Sequence, residues 1–235
     1  MGRPVIVFDL DETIGYFQQL SVFIYALEDI LKKKVNKQNM LELLKLYPEY
    51  FRPEIFKIFS YLLKHKKSKN AKVFIYTNNT GPKSWVYTIK KYIENKIGGE
   101  LFDRMILTWK NMDGVTYEKC RTSYEKKYSD LLRCGKLSRE DKILFLDDTY
   151  YPKMVNKNIV YLNLHEYKND ISYDDMINRY LKSKLSKGIK DNNLFKKELI
   201  NYLKQYGEYK NVNKVYLKRD NKLILKKIKL FMKLF

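Results

Sequence analysis

Val5-Ile6-Val7-Phe8-Asp9-Leu10-Asp11-Glu12-Thr13 runs four apolar residues into two aspartates one residue apart. A short continuous run of β-branched and aromatic residues suits a parallel strand covered on both faces. Past such a strand, the first carboxylate falls at the strand tip. The second lies on the next loop and faces the same crevice. Two carboxylates this close repel each other and favour a divalent cation between them. A hard ion such as Mg²⁺ takes oxygen ligands and also screens an incoming phosphate. The same pattern fits a plain polar exit from a strand, so other strand tips have to decide.

Two of them do. Val73–Tyr76 is followed by Thr77-Asn78-Asn79-Thr80-Gly81, a hydroxyl and backbone amides ahead of a helical stretch. That combination suits a phosphate oxygen. Ile143–Leu146 is followed by Asp147-Asp148-Thr149, which adds carboxylate for the cation. Packing does not explain a core strand that ends in paired acids, because unpaired buried carboxylates are costly.

Further strand-length runs stand at Met105–Leu107 and Ile159–Leu162, and helix-period stretches at Ile55–Leu63, Trp85–Ile97 and Tyr124–Leu132. Strand and helix alternating at this spacing predict a doubly wound α/β parallel sheet of Rossmann-like type, with reactive groups beyond its carboxyl edge. Residues 18–50 read as a small helical insert, a cap or an extra layer, on Leu20, Phe23, Ile24, Leu27, Leu41 and Leu44 at helical spacing. The expected organisation is a catalytic domain over 1–165 and a basic helical C-terminal extension over 166–235.

The chain has 235 residues and a net charge of +20, and 18 of its Lys and Arg against 8 of its Asp and Glu follow position 165. Such a balance points to an acidic partner, although lysine-biased composition accounts for part of it. Near the C-terminus, Ile224, Ile228, Phe231 and Phe235 form one stripe, with Lys222, Lys226, Lys229 and Lys233 off it. The stripe reads either as cover for the domain's own surface or as a docking element for nucleic acid, a membrane or another partner. No apolar run reaches the length of a membrane span. Cys120 and Cys134, without a CxxC pattern, read as reduced thiols of an intracellular protein. His65 and His165 read as surface residues, and most of the 21 tyrosines as core rather than a base-stacking platform.

Taken in order, Asp9-Leu-Asp11-Glu-Thr13, Thr77 and Asp147-Asp148 resemble the haloacid dehalogenase superfamily of phosphohydrolases. Asp-Leu-Asp-Glu-Thr is similar to the branch holding the carboxy-terminal-domain phosphatases and the NLI-interacting-factor-like proteins. Tyr128–Cys134 ahead of Ile143–Asp148, with Tyr151-Pro152, resembles members of that branch in large DNA viruses and protists. The resemblance covers about residues 4–165. It implies a cytoplasmic or nuclear protein, a viral source being one of those it suggests.

The resemblance implies Asp9 as the nucleophile and Asp11 as general acid and base, with the Asp11 carbonyl helping to hold Mg²⁺. Thr77 would bind the phosphoryl group, and Thr13, Asn78 and Asn79 line the substrate side. Asp147 or Asp148 would complete a metal site with Asp9 and Asp11. The family's lysine maps onto Lys126, with Lys127 as the alternative.

The implied activity is Mg²⁺-dependent phosphomonoester hydrolysis, on phosphoserine or phosphothreonine in a macromolecule. Asn78-Asn79 departs from the protein-phosphatase branch towards small-molecule and polynucleotide phosphatases, so a nucleotide or nucleic-acid end is the second reading. A non-catalytic binding protein is the third, and the retention of both Asp9 and Asp11 speaks against it.

Overall fold

The computed structural model describes residues 2–207 and 215–235. Strands β1 (Pro4–Phe8), β2 (Lys72–Tyr76), β3 (Arg104–Ile106), β4 (Lys142–Asp147) and β5 (Ile159–Asn163) form one all-parallel sheet. Their order is β3-β2-β1-β4-β5, as in a Rossmann-like fold. The chain steps outward from β1 to β2 and β3, then crosses back to β4 on the other side of β1. Winding reverses there, and the crevice beyond the carboxyl ends of β1 and β4 is where such sheets place their chemistry.

The ladder runs one residue past the ends of β1 and β2. The Asp9 amide donates to Leu146 O at 2.9 Å, and the Thr77 amide donates to Ile106 O at 3.0 Å. Both side chains therefore leave the sheet from main chain that is already fixed. One sheet face packs Val7, Phe74 and Phe145 with Leu131 of the helix Tyr128–Gly135. On the other, the Phe8 ring meets Phe59 edge-on at 5.2 Å. Cover on both faces is the physical reason why β1 is apolar at every position.

The helices are α1 (Gln18–Leu31), α2 (Lys37–Leu46), α3 (Ile55–Lys66), α4 (Lys83–Ile97), α5 (Tyr128–Gly135), α6 (Tyr173–Leu181), α7 (Asn192–Lys204) and α8 (Val215–Met232). Helix α4 stops at Gly98, whose φ of 79° returns its N–H to Glu94 O, a left-handed cap that favours glycine.

The chain forms two compact units. The first comprises Met1–Gly15, Arg52–Tyr167 and Lys214–Phe235, and holds the sheet. The second comprises Tyr16–Phe51 and Lys168–Asn213 and is helical. In its core the Phe23 ring meets Tyr47 and Tyr180 edge-on, each at 5.8 Å. Buried Gln19 is satisfied there: Nε2 donates to Ile171 O at 2.8 Å, while Oε1 accepts from Ile171 N at 2.8 Å and Tyr50 OH at 2.6 Å.

The sequence reading joined 166–235 into one extension. The structure shares that stretch between the units: α6 and α7 join the insert, and α8 belongs with the sheet. Ile224, Ile228, Phe231 and Met232 are buried, whereas Lys222, Lys226, Lys229 and Lys233 are exposed. Lys229 Nζ lies 5.4 Å from the ring of Tyr61 on α3. The stripe is thus core, the plainer of its two readings.

Three further expectations change. Helix α5 begins at Tyr128 rather than Tyr124, because Lys127 is extended at φ −133° and ψ 143°. Strand β3 sits one residue earlier than Met105–Leu107. Cys120 and Cys134, expected as free thiols, form a disulfide with their Cα atoms 5.2 Å apart. Cys134 rides the last turn of α5 while Cys120 lies in the loop before it, a proximity that spacing along the chain does not reveal.

Candidate active site

Asp9 and Asp147 leave neighbouring strands at the same edge, both buried, with Lys126 between them. Lys126 is 1% exposed; its Nζ donates to Asp9 Oδ1 and, at 2.6 Å, to Asp147 Oδ2. The non-helical chain ahead of α5 delivers this side chain, whose amine passes within 6 Å of the rings of Tyr76, Phe145 and Tyr151. Lys127 turns elsewhere, its Nζ on Thr122 Oγ1 at 3.1 Å.

Asp11 is held apart from this group. Its Oδ2 accepts from Asn79 Nδ2 at 3.0 Å. Thr13 is buried, and its hydroxyl donates to Asp148 Oδ1 at 2.9 Å while accepting from the Asp148 amide at 3.1 Å. Thr13 therefore sets Asp148. Thr77 Oγ1 caps the Asn79 amide at 2.9 Å, and Asp147 Oδ1 caps the Thr149 amide at 2.9 Å. These local bonds stiffen the tips of β2 and β4.

Burial pushes the Asp9 carboxyl well above its usual range, against the pull of the Lys126 charge, with Asp147 and Asp11 pushing it further. Burial likewise raises Asp147, again against Lys126. Burial raises Asp11 too, offset in part by the Asn79 hydrogen bond. For Lys126, burial works to lower the amine, but Asp9 and Asp147 outweigh it and the amine rises. The directions agree physically: the ammonium holds its proton, and one positive charge does not neutralise the surrounding carboxylates.

That excess is what a divalent cation would balance. Asp9, Asp147 and Asp148 each offer a carboxylate oxygen, all within 4.8 Å of one another. Three hard oxygen donors around a surplus of negative charge fit Mg²⁺. The Asp11 side chain lies outside that trio, turned to Asn79.

Several residues of the site escaped the sequence reading. Arg121 is buried; its guanidinium donates to Thr77 O and Leu107 O at 3.0 Å, and to Asn78 Oδ1 and Tyr124 O at 2.8 Å. Asn78 passes the chain on, with Nδ2 on Tyr151 OH at 3.0 Å. Arg52 is 1% exposed and holds the loop behind Asp11. A faint signal was present: only 8 of the 47 basic residues are arginine. In a lysine-biased chain, arginines mark positions where a planar fork does what an ammonium does not. His165 is exposed, as the sequence predicts, and its Nδ1 lies 3.0 Å from Asp220 Oδ2 on α8.

No family model and no curated protein matches the chain. Among solved structures it is similar to CbbY from Rhodobacter sphaeroides, an Asp-to-Asn mutant in complex with xylulose-(1,5)-bisphosphate. The identity is 14% and the TM-score 0.34, over 62% of this chain and 77% of that one. The chemistry of the site therefore has to follow from its own residues.

Proposed function

We propose that the protein is a phosphomonoesterase of the haloacid dehalogenase type, dependent on Mg²⁺ and working through phosphorylated Asp9. The observation that carries this is the division of labour among buried carboxylates. Asp9 and Asp147 share the Lys126 ammonium, while Asp11 stands apart on Asn79.

In this reading a carboxylate oxygen of Asp9 attacks phosphorus and the bond from phosphorus to the ester oxygen breaks. Asp11, raised by burial, gives its proton to the departing oxygen. Water then attacks the aspartyl phosphate, Asp11 takes the proton back, and the bond between phosphorus and Asp9 breaks to release phosphate. Lys126 lends its charge to the phosphoryl oxygens, and Arg121 holds the Thr77–Asn78 tip that faces them. Mg²⁺ held by Asp9, Asp147 and Asp148 would supply further positive charge to the same oxygens.

The substrate we propose is phosphoserine or phosphothreonine in a protein, on the resemblance of Asp9–Thr13 to the carboxy-terminal-domain phosphatases. The net charge of +20 favours a second reading, the phosphorylated end of a nucleic acid. Turnover of an aryl phosphate, phosphopeptides and 3′- or 5′-phosphorylated oligonucleotides separates the two. Activity should require Mg²⁺ and fall more than a hundredfold in Asp9→Asn, about 3 kcal/mol in barrier, since an amide keeps the shape but does not attack. Undiminished turnover in Asp9→Asn, or in excess chelator, would overturn the mechanism.

A further inference from the structure

Arg52 is an unusual residue to find fully buried, and most of its hydrogen bonds converge on one loop. Nε donates to Thr13 O at 2.7 Å, and Nη2 donates to Glu12 O at 2.8 Å and to His165 O at 2.7 Å. Its backbone amide donates to Ile14 O at 2.9 Å. Three consecutive carbonyls behind Asp11 are thus bonded to a single residue 38 or more positions away. The guanidinium carbon lies 5.6 Å from the centre of the Tyr167 ring, and the Tyr167 amide itself donates to Glu12 O at 2.7 Å.

The loop needs such a holder. Glu12 sits at φ 58°, in the left-handed region that side chains rarely adopt. The turn closes on itself through Glu12 N to Gly15 O at 2.7 Å and Ile14 N to Leu10 O at 2.9 Å. It carries Asp11 at one end, and Thr13, which orients Asp148, in its middle. A buried guanidinium also needs a counter-charge. Asp220, buried on α8, supplies it: its Oδ2 is 3.9 Å from Arg52 Nη1, and the same carboxylate accepts from the His165 amide at 3.2 Å.

We propose that Arg52, with Asp220 as its counter-ion, is a positioning residue for phosphoryl transfer that fixes the 11–15 loop so that the Asp11 carboxyl meets the leaving oxygen. This rests on the reading of Asp11 as general acid. It makes α8 part of the catalytic apparatus, although every reacting group lies before position 149. Arginine suits the post because one planar fork reaches three carbonyls in fixed geometry. A lysine ammonium would reach fewer of them and let the turn relax.

The test exploits what a general acid does. A misplaced acid hurts esters with poor leaving groups far more than those with good ones, whereas general loosening of the fold hurts both alike. The full chain and its Arg52→Lys and Asp220→Asn variants are assayed with Mg²⁺ on an alkyl phosphate and on p-nitrophenyl phosphate. Amide hydrogen exchange across residues 10–16 is followed in parallel. We expect Arg52→Lys to lose about tenfold or more in kcat on the alkyl ester and under about threefold on the aryl ester, with KM little changed. Loop exchange should quicken.

Asp220→Asn should move the same way by a smaller factor, and it carries the test if Arg52→Lys does not fold. Equal losses on both esters, or unchanged exchange in a folded variant, would overturn the assignment. Failure of the underlying reading looks different. The unmodified chain would then hydrolyse neither ester, or Asp9→Asn would leave turnover intact.

Discussion

Asp9, Asp147 and Asp148 are drawn together by β1 and β4, and their protonation would make the proposed binding of a cation depend on pH in a definite direction. Burial raises Asp9 and Asp147 above their unfolded values. A carboxylate raised on folding binds more protons in the folded state than in the unfolded one. Its contribution to stability therefore falls as pH climbs from the unfolded carboxylate range through the raised folded value. Mg²⁺ held there, as proposed, would compete with those same protons, so its affinity would rise across the same interval. The thermal stabilisation given by millimolar Mg²⁺ should be small near pH 5 and grow towards pH 8, and Asp147→Asn should abolish most of that growth. A Mg²⁺ shift that stays constant with pH would argue against ion binding at this trio. At this scale the sequence was informative, because Asp9, Asp11 and Asp147-Asp148 each follow a strand-length apolar run. It was silent on Arg52 and Arg121, whose partners are mostly backbone carbonyls contributed by distant loops.

Continuous apolar runs announced the strands, and the one-residue shift of β3 reflects how little a three-residue strand holds to pattern alone. The error at α5 is more instructive. Helical periodicity continues back through Tyr124, yet tertiary demand overrides it: Lys126 reaches Asp9 and Asp147 from non-helical chain ahead of α5. The Cys120–Cys134 disulfide ties the loop ahead of α5 to the far end of that helix, with Arg121 and Lys126 inside the closed loop. Cross-linking 14 residues apart restricts the unfolded chain by about 3 kcal/mol. The oxidised protein should therefore unfold at higher denaturant than the reduced protein, and Cys134→Ala should erase the difference. Non-reducing peptide mapping with denaturant titration checks both. Equal midpoints with and without reductant would show that the bond adds nothing at this position.

At the scale of the whole molecule, α8 joins two properties that the sequence displayed side by side without relating them. Its inner stripe buries Ile224, Ile228, Phe231 and Met232. At about 1.5–3 kcal/mol for each buried side chain, losing them costs as much as the usual stability of a domain. A chain ending before Val215 should therefore aggregate or unfold rather than persist as a folded domain. The docking question must be asked with α8 in place. Its outer face carries Lys222, Lys226, Lys229 and Lys233, all exposed. Replacing these four by Gln leaves the buried stripe untouched, so the unfolding midpoint should move little. If the face binds a nucleic acid, each lysine that neutralises a phosphate releases a counterion. The slope of log affinity against log salt should then shrink by up to about 3 for single strands, at about 0.7 per contact. Titrating a labelled oligonucleotide between low and physiological salt measures that slope for the parent and the four-fold variant. Identical slopes would mean that these lysines only solvate the outer face of α8, and that the high net charge has its partner elsewhere on the surface.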